Sequence, residues 1–193
     1  MLSDFSAQPD LTLEEDAGLV SLVRGGSREA FDEIDRRYRG RLFCYLCRRT
    51  NCAAYAEEIA QQTLIRAFEV IKQLKFDEKI GAWLYRIAYR LLVDDSRRKK
   101  EFSSVAPDSI AVSYPVAGAL IAEEEKANIW EIARKTLTHD EFIAIELRYV
   151  EDFNIAEIAK IMSRTQISVR VILHRARNRL LPHLAEFQQK NKF

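Results

Sequence analysis

Three cysteines, Cys44, Cys47 and Cys52, are spaced C-x2-C-x4-C, a pattern that would suit a soft metal ion or a thiol redox pair. A fourth ligand is missing nearby, because His139, His174 and His183 all lie far down the chain. Free thiols are common in or beside helix cores, so these cysteines read as packing residues, and neither a metal nor another cofactor is expected. Two carboxylate pairs, Glu57-Glu58 and Asp94-Asp95, could in principle serve a metal-dependent hydrolase. Such pairs on helices more often solvate a face. No H-x-x-x-H, glycine-rich phosphate loop or nucleophile elbow accompanies them. The expectation is a protein that is not an enzyme.

Basic residues make the stronger pattern. The 193 residues carry 30 Lys/Arg and 29 Asp/Glu, a net +1, which by itself names no partner. The distribution is uneven: residues 1–100 hold 18 bases and 16 acids, 101–125 hold five acids and no base, and 126–193 hold 12 bases and eight acids. Between Lys160 and Arg179 stand six bases and no acid. Charge gathered in this way is expected of a chain that grips nucleic acid at one or two places. A second candidate, Trp83, Tyr85, Arg86, Tyr89, Arg90, Arg97 and Arg98, interleaves aromatics with bases. Such a surface can hold the backbone of single-stranded DNA and stack its bases, although Trp83 also lies on an apolar stripe and could be core.

The elements that position these residues are helices. Hydrophobic residues are 48 % and charged residues 31 % of the chain, with only 6 Gly and 4 Pro. That balance builds a packed core and disfavours a turn-rich β architecture. Thr12 with Glu15 suggests a capping box for a first helix ended by Gly25-Gly26. Ser27 can cap a second, with Phe31, Ile34, Tyr38, Leu42 and Leu46 at helical spacing. A third carries Ile59, Ala60, Leu64, Ala67, Phe68, Ile71 and Leu74, and a fourth Trp83, Leu84, Ile87, Ala88, Leu91 and Leu92. The stretch EFSSVAPDSIAVSYPVAGAL has no helical periodicity and reads as a tether of about 20 residues.

Beyond it, Ile129, Trp130 and Ala133 suggest a helix, Thr138 to Glu141 a capping box opening the next, and Asn154 to Glu157 the start of a third. After the turn Ser163-Arg164-Thr165, a basic helix runs from Gln166 to about Leu181, where Pro182 should stop it. A short helix, a tight turn and a basic helix form a helix-turn-helix. At 100° per residue, Val169, Leu173, Ala176 and Leu180 share an inward stripe. Ile167, Val171, His174 and Asn178 face the other way, flanked by Arg170, Arg177 and Arg175. Arginines there can meet phosphate or guanine, and the apolar pair can touch thymine methyls or receive an amphipathic helix from an inhibitor.

The expected fold is all-α: two small helical domains, 1–100 and 126–193, joined by a flexible acidic linker, 101–125. The second is a four-helix domain containing the helix-turn-helix. No apolar run approaches the about 18 residues that suggest a membrane span. The N-terminus has acids where a signal peptide needs a basic start. A cytoplasmic chain without membrane insertion is expected.

Several segments in order resemble the extracytoplasmic-function (ECF) group of the sigma-70 family: REAFDEIDRRYRGRLFCYL, AEEIAQQTLIRAF, AWLYRIAYRLLVDDSRRKK, ELRYVEDFNIAEIAKIM and SVRVILHRARNRL. The likeness covers nearly all of residues 14–182. It implies a factor that binds core RNA polymerase, directs it to promoter DNA and helps open the duplex, is held inactive by an anti-sigma factor, and is a monomer when free of partners. It places Glu58, Gln61, Gln62 and Arg66 at the polymerase contact. Lys75, Phe76 and Asp77 fall in a loop that captures a −10 base, and Arg86, Tyr89, Arg90, Arg97 and Arg98 on the helix after it. Arg164, Thr165, Gln166, Ser168, Arg170, Val171, His174 and Arg175 fall on the −35 reader. Phe76 stands where the family usually has Gly, Ile167 where Gly is common and Val171 where Ser is common, so the preferred promoter is not copied from relatives.

Overall fold

Every regular element among the described residues of the computed structural model is helical. Those residues are 11–50, 52–74, 78–102 and 130–190, with side chains described outside 95–102 and 184–190. The chain divides into two units, Met1–Val112 and Ser113–Phe193.

The first unit comprises α1 (Asp16–Arg24), α2 (Arg28–Thr50), α3 (Ala53–Val70), a 3-10 turn (Ile71–Gln73) and α4 (Ile80–Phe102). Its centre is the fully buried set Leu19, Ile34, Leu42, Leu46, Leu84, Tyr45 and Tyr85. The two tyrosine rings meet edge to face, 4.8 Å between centroids, a favoured aromatic geometry. Trp83 is also core, at 4 % exposure. This removes Trp83 and Tyr85 from the interleaved surface considered for single-stranded DNA. Their helical spacing serves packing.

The start of the chain is organised differently from expectation. α1 begins at Asp16, so its N-cap position is Glu15, which makes no side-chain cap bond, and not Thr12. Arg37 of α2 gathers this turn instead. Its guanidinium donates to Asp16 Oδ1 at 3.0 Å and to the carbonyls of Leu11, Thr12 and Glu14 at 3.0, 3.1 and 2.8 Å. The three carbonyls share the two hydrogens of Nη2, while Nη1 serves Asp16 and Nε serves Glu33. Buried Glu33 holds Arg36 and Arg37 at 2.7 Å each, and these two guanidiniums pull its carboxyl down to about 2.

α1 closes with a Schellman motif: Gly26 adopts φ 104°, while Gly26 N donates to Val23 O and Ser27 N to Leu22 O, both at 3.0 Å. Only glycine adopts that backbone freely. Ser27 Oγ then accepts from Ala30 N at 3.2 Å and caps α2.

The second unit comprises α5 (130–136), α6 (His139–Tyr149), α7 (Ile155–Ile161) and α8 (Gln166–Lys190). The expected capping box forms, Glu141 Oε2 accepting from Thr138 N at 2.9 Å, and a second one opens α7, Glu157 Oε2 accepting from Asn154 N at 2.8 Å. The inward stripe of α8, Val169, Leu173, Ala176 and Leu180, is buried against Ile143, Leu147, Ile158 and Ile161 of the same core. Pro182 does not end α8, which continues to Lys190 with the proline inside. The ring removes one donor, whose acceptor would be the carbonyl of Asn178. Asn178 is exposed, so water can serve that carbonyl, and the good helix formers that follow carry the helix on.

Candidate partner and nucleic-acid interfaces

The outward face of α3 carries Glu58, Gln61, Gln62 and Arg66, all exposed. Gln62 Nε2 donates to Glu58 Oε1 at 3.0 Å, and Arg66 lies 3.4 Å from Glu69. A row that serves no core and is only loosely paired is free to meet a partner. Beside it lies a groove of about 370 Å³ between α2 and α3, its apolar wall made by Phe31, Leu64, Ile65 and Phe68. The rings of Phe31 and Phe68 meet at 4.9 Å, nearly edge-on. Phe68 remains 44 % exposed and Ile65 53 %. This corrects the placing of Phe68 on the buried stripe: α3 buries Ala56, Ile59, Ala60, Thr63, Leu64 and Ala67, and Phe68 falls at that stripe's edge. Ile65 and Phe68 were missed as interface candidates, and the available signal was Ile65, an apolar residue off the stripe.

The segment joining α3 to α4 is held at both ends. Before it, Arg24 donates to the carbonyl of Leu74, whose side chain is buried. After it, Glu78 takes the Arg86 guanidinium at 2.7 Å. Where α4 begins, a Cβ at Gly81 would stand 3.0 Å from the Tyr38 ring, a tight contact that would push the ring aside by a few tenths of an ångström. The Tyr38 hydroxyl donates to Asp16. Burial and that carboxylate push the pKa of the phenol up, so it stays protonated. Lys75, Phe76 and Asp77 lie outside the described residues, as do the side chains of Arg97 and Arg98. Tyr89 is half-buried, Arg90 is exposed, and Arg86 is engaged by Glu78.

In the second unit, α7 and α8 form the helix-turn-helix. Ser163 sits between them at φ 53°. Arg164 N donates to Ala159 O at 2.9 Å and Ser163 N to Lys160 O at 3.4 Å. This is again a Schellman closure, here with a serine in the place that favours glycine. Thr165 Oγ1 accepts from Ser168 N at 3.2 Å and caps α8. Gln166, Arg170, Val171, His174 and Arg175 are exposed and Ser168 half-buried. His174 and Asn178 are linked at 3.1 Å. Arg164 pairs with Asp140 of α6 at 2.8 Å, and Arg179 reaches buried Glu141 at 3.0 Å. These two arginines therefore brace α8 and the turn before it against α6, while Arg170 and Arg175 stand outward.

Burial pushes the pKa of the Cys47 thiol up, with Cys44 and Cys52 adding to the effect. A thiol held protonated is a poor nucleophile. Among the described residues no group of three or more His, Cys, Asp or Glu is arranged to hold a metal ion. Glu57 faces Arg39 at 3.4 Å. No helix among the described residues is long and apolar enough to cross a membrane.

Comparison with known families decides what these surfaces belong to. Sigma-70 region 2 matches residues 34–102, and Sigma-70 region 4 matches residues 135–180. The chain belongs to the sigma-70 family. It is similar over most of its length to curated ECF sigma factors. It is 25 % identical over 183 residues to the ECF RNA polymerase sigma factor SigW of Bacillus subtilis, covering 86 % of this chain and 95 % of that one. It is 28 % identical over 179 residues to the RNA polymerase sigma-H factor of Pseudomonas aeruginosa, covering 86 % and 92 %. Among solved structures, the sigma factor RpoE of Bartonella quintana, crystallised with the anti-sigma factor NepR, shares the fold. Its TM-score is 0.63 at 21 % identity, over 80 % of this chain and 96 % of that one. The α2–α4 unit is thus sigma region 2 and the α6–α8 unit sigma region 4, and the protein is an ECF RNA polymerase sigma factor.

Proposed function

We propose that region 2 of this sigma factor docks on core polymerase through the α3 row Glu58, Gln61, Gln62 and Arg66 and the adjoining Phe31–Phe68 groove. In this reading residues 75–77 with Tyr89, Arg90, Arg97 and Arg98 of α4 engage the −10 element. Arg170, Val171, His174 and Arg175 of α8 read the −35 element, with Thr165, Gln166 and Ser168 at the helix entrance meeting backbone phosphate. Arg86 and Arg164 hold these elements in place through Glu78 and Asp140. The observation that carries the reading is the α7–Ser163–α8 turn, which buries one stripe of α8 and leaves its cationic face open to solvent.

Two modest DNA contacts joined through a large partner gain affinity by effective concentration. The factor alone should therefore bind duplex DNA weakly and act as a monomer in the cytoplasm. The complex of the Bartonella relative with an anti-sigma factor supports control of this chain by an anti-sigma partner as well.

Reconstitution with core polymerase on a randomised promoter library tests the reading. Initiation from one promoter class, absent with core alone, is the expected result. Tight, sequence-specific binding by a free dimer with no polymerase response would replace it with a stand-alone helix-turn-helix regulator.

A further inference from the structure

α8 presents an apolar pair where a helix that only gripped phosphate would have no use for one. Ile167 is 71 % exposed and Val171 42 %. One helical turn apart, they lie on the same outward face. Arg170 and Arg175 flank them, and the linked pair His174 and Asn178 continues the face. Both stand in the first turns of the second helix of the motif, the part that enters the major groove. Leaving such side chains in water has no benefit to the fold, since the core stripe is on the other side.

We infer that Ile167 and Val171 are specificity residues that read the 5-methyl groups of two thymines in the −35 element, an inference that rests on the −35 reading above. The thymine methyl is the only apolar group on a base edge in the major groove, and apolar side chains recognise it by contact. Four residues of helix advance about 6 Å, and stacked base pairs rise about 3.4 Å each. The two methyls therefore lie within about two base pairs of one another, on either strand. The surrounding cations favour DNA over an inhibitor's amphipathic helix. Such a helix lays its apolar face into a hydrophobic groove, whereas Ile167 and Val171 make a two-residue patch bordered by Arg170 and Arg175.

The test uses the reconstituted holoenzyme and a promoter selected by it from a randomised −35 library. Each −35 thymine is replaced in turn by deoxyuridine, which removes only the methyl, and promoter affinity is measured for the wild type, Ile167→Ala and Val171→Ala. Losing one buried methyl should weaken the wild type about fourfold at each of two nearby positions. Each variant should become indifferent to one of those methyls while keeping the thermal stability of the parent. Normal promoter use with no methyl dependence, or equal dependence in the variants, overturns this inference and leaves the −35 reading intact. A holoenzyme that selects no −35 sequence at all overturns both.

Discussion

Glu78 and Arg86 form an ion pair where the chain re-enters helix after residues 75–77, Arg86 Nη2 donating to Glu78 Oε2 at 3.1 Å and Nη1 lying 2.7 Å from Oε1. Glu78 is 5 % exposed and Arg86 22 %, so the pair is largely shielded from solvent. Arg86→Ala leaves an almost buried carboxylate without its partner and should destabilise the first unit by about 1–3 kcal/mol. If Arg86 acts through Glu78, then Glu78→Gln and Arg86→Ala should be strongly non-additive in promoter opening. A direct contact of Arg86 with DNA would instead make the two losses add. A double-mutant cycle on open-complex formation, with urea unfolding alongside, distinguishes them.

Ser163 offers a gain of stability. A non-glycine residue in the left-handed region costs about 1–2 kcal/mol, and glycine returns part of that in unfolded-state entropy. Ser163→Gly should stabilise the second unit by about 0.5–1 kcal/mol and leave promoter choice unchanged. A lower melting temperature would mean that the serine makes a contribution beyond its backbone conformation.

What could be read in advance follows the range of the interactions. Capping pairs such as Thr138 with Glu141 and Asn154 with Glu157 lie three residues apart, and the α8 stripe repeats every three or four. Their spacing was enough to place them. Arg37 serves acceptors 21 to 26 residues away, and Arg164 meets Asp140 across 24, so no local pattern announced either. Trp83 was ambiguous because an aromatic at helical spacing suits a core and a base-stacking surface equally, and Tyr85 read as surface. Burial of both, with the ring of Tyr45 against Tyr85, places them in the core. Phe68 failed for a related reason: periodicity assigns a side of the helix, while burial depends on how far the neighbouring helix extends over it. Pro182 did not stop α8, and the residue whose carbonyl loses its partner, Asn178, is an exposed one.

Acid should loosen the α2 anchor. The carboxyl of Glu33 titrates at about 2 in the folded chain, against an ordinary 4.5. Between those values the unfolded chain takes up a proton that the folded chain refuses. The stability from this group is therefore complete above about pH 4.5 and lost as pH falls through about 2. Glu33→Gln should lower stability at pH 7 and flatten its decline between pH 4.5 and 2. Urea unfolding of the full chain at pH 7, 4.5 and 3 gives the comparison, and identical acid slopes would assign the loss to other groups.

The groove between α2 and α3 should matter to polymerase more than to folding. Phe68→Ala removes a ring that is 44 % exposed and packed on Phe31. Its effect on unfolding should be about 1 kcal/mol, well below the 2–5 kcal/mol typical of a buried truncation. Affinity for core polymerase should fall at least fivefold, since aromatic anchors dominate such interfaces. Normal core binding by the variant would return the docking role to the polar row alone.

The two faces of α8 allow the sharpest separation of folding from reading. Leu173 is 2 % exposed, and Leu173→Ala should cost about 2–5 kcal/mol of stability through its lost contacts and the cavity left behind. Arg170 and Arg175 lie off that stripe and are exposed, so alanine at either should leave the melting temperature of the second unit nearly unchanged. Promoter affinity of the holoenzyme should then fall by about 1–3 kcal/mol if the arginine reads a base, with relaxed preference at one −35 position. A phosphate contact would instead weaken all promoters alike and reduce the salt dependence. Measuring both variants on the selected promoter and on its single-base substitutions separates these outcomes. Unaltered transcription by both would mean that α8 meets DNA through some other face.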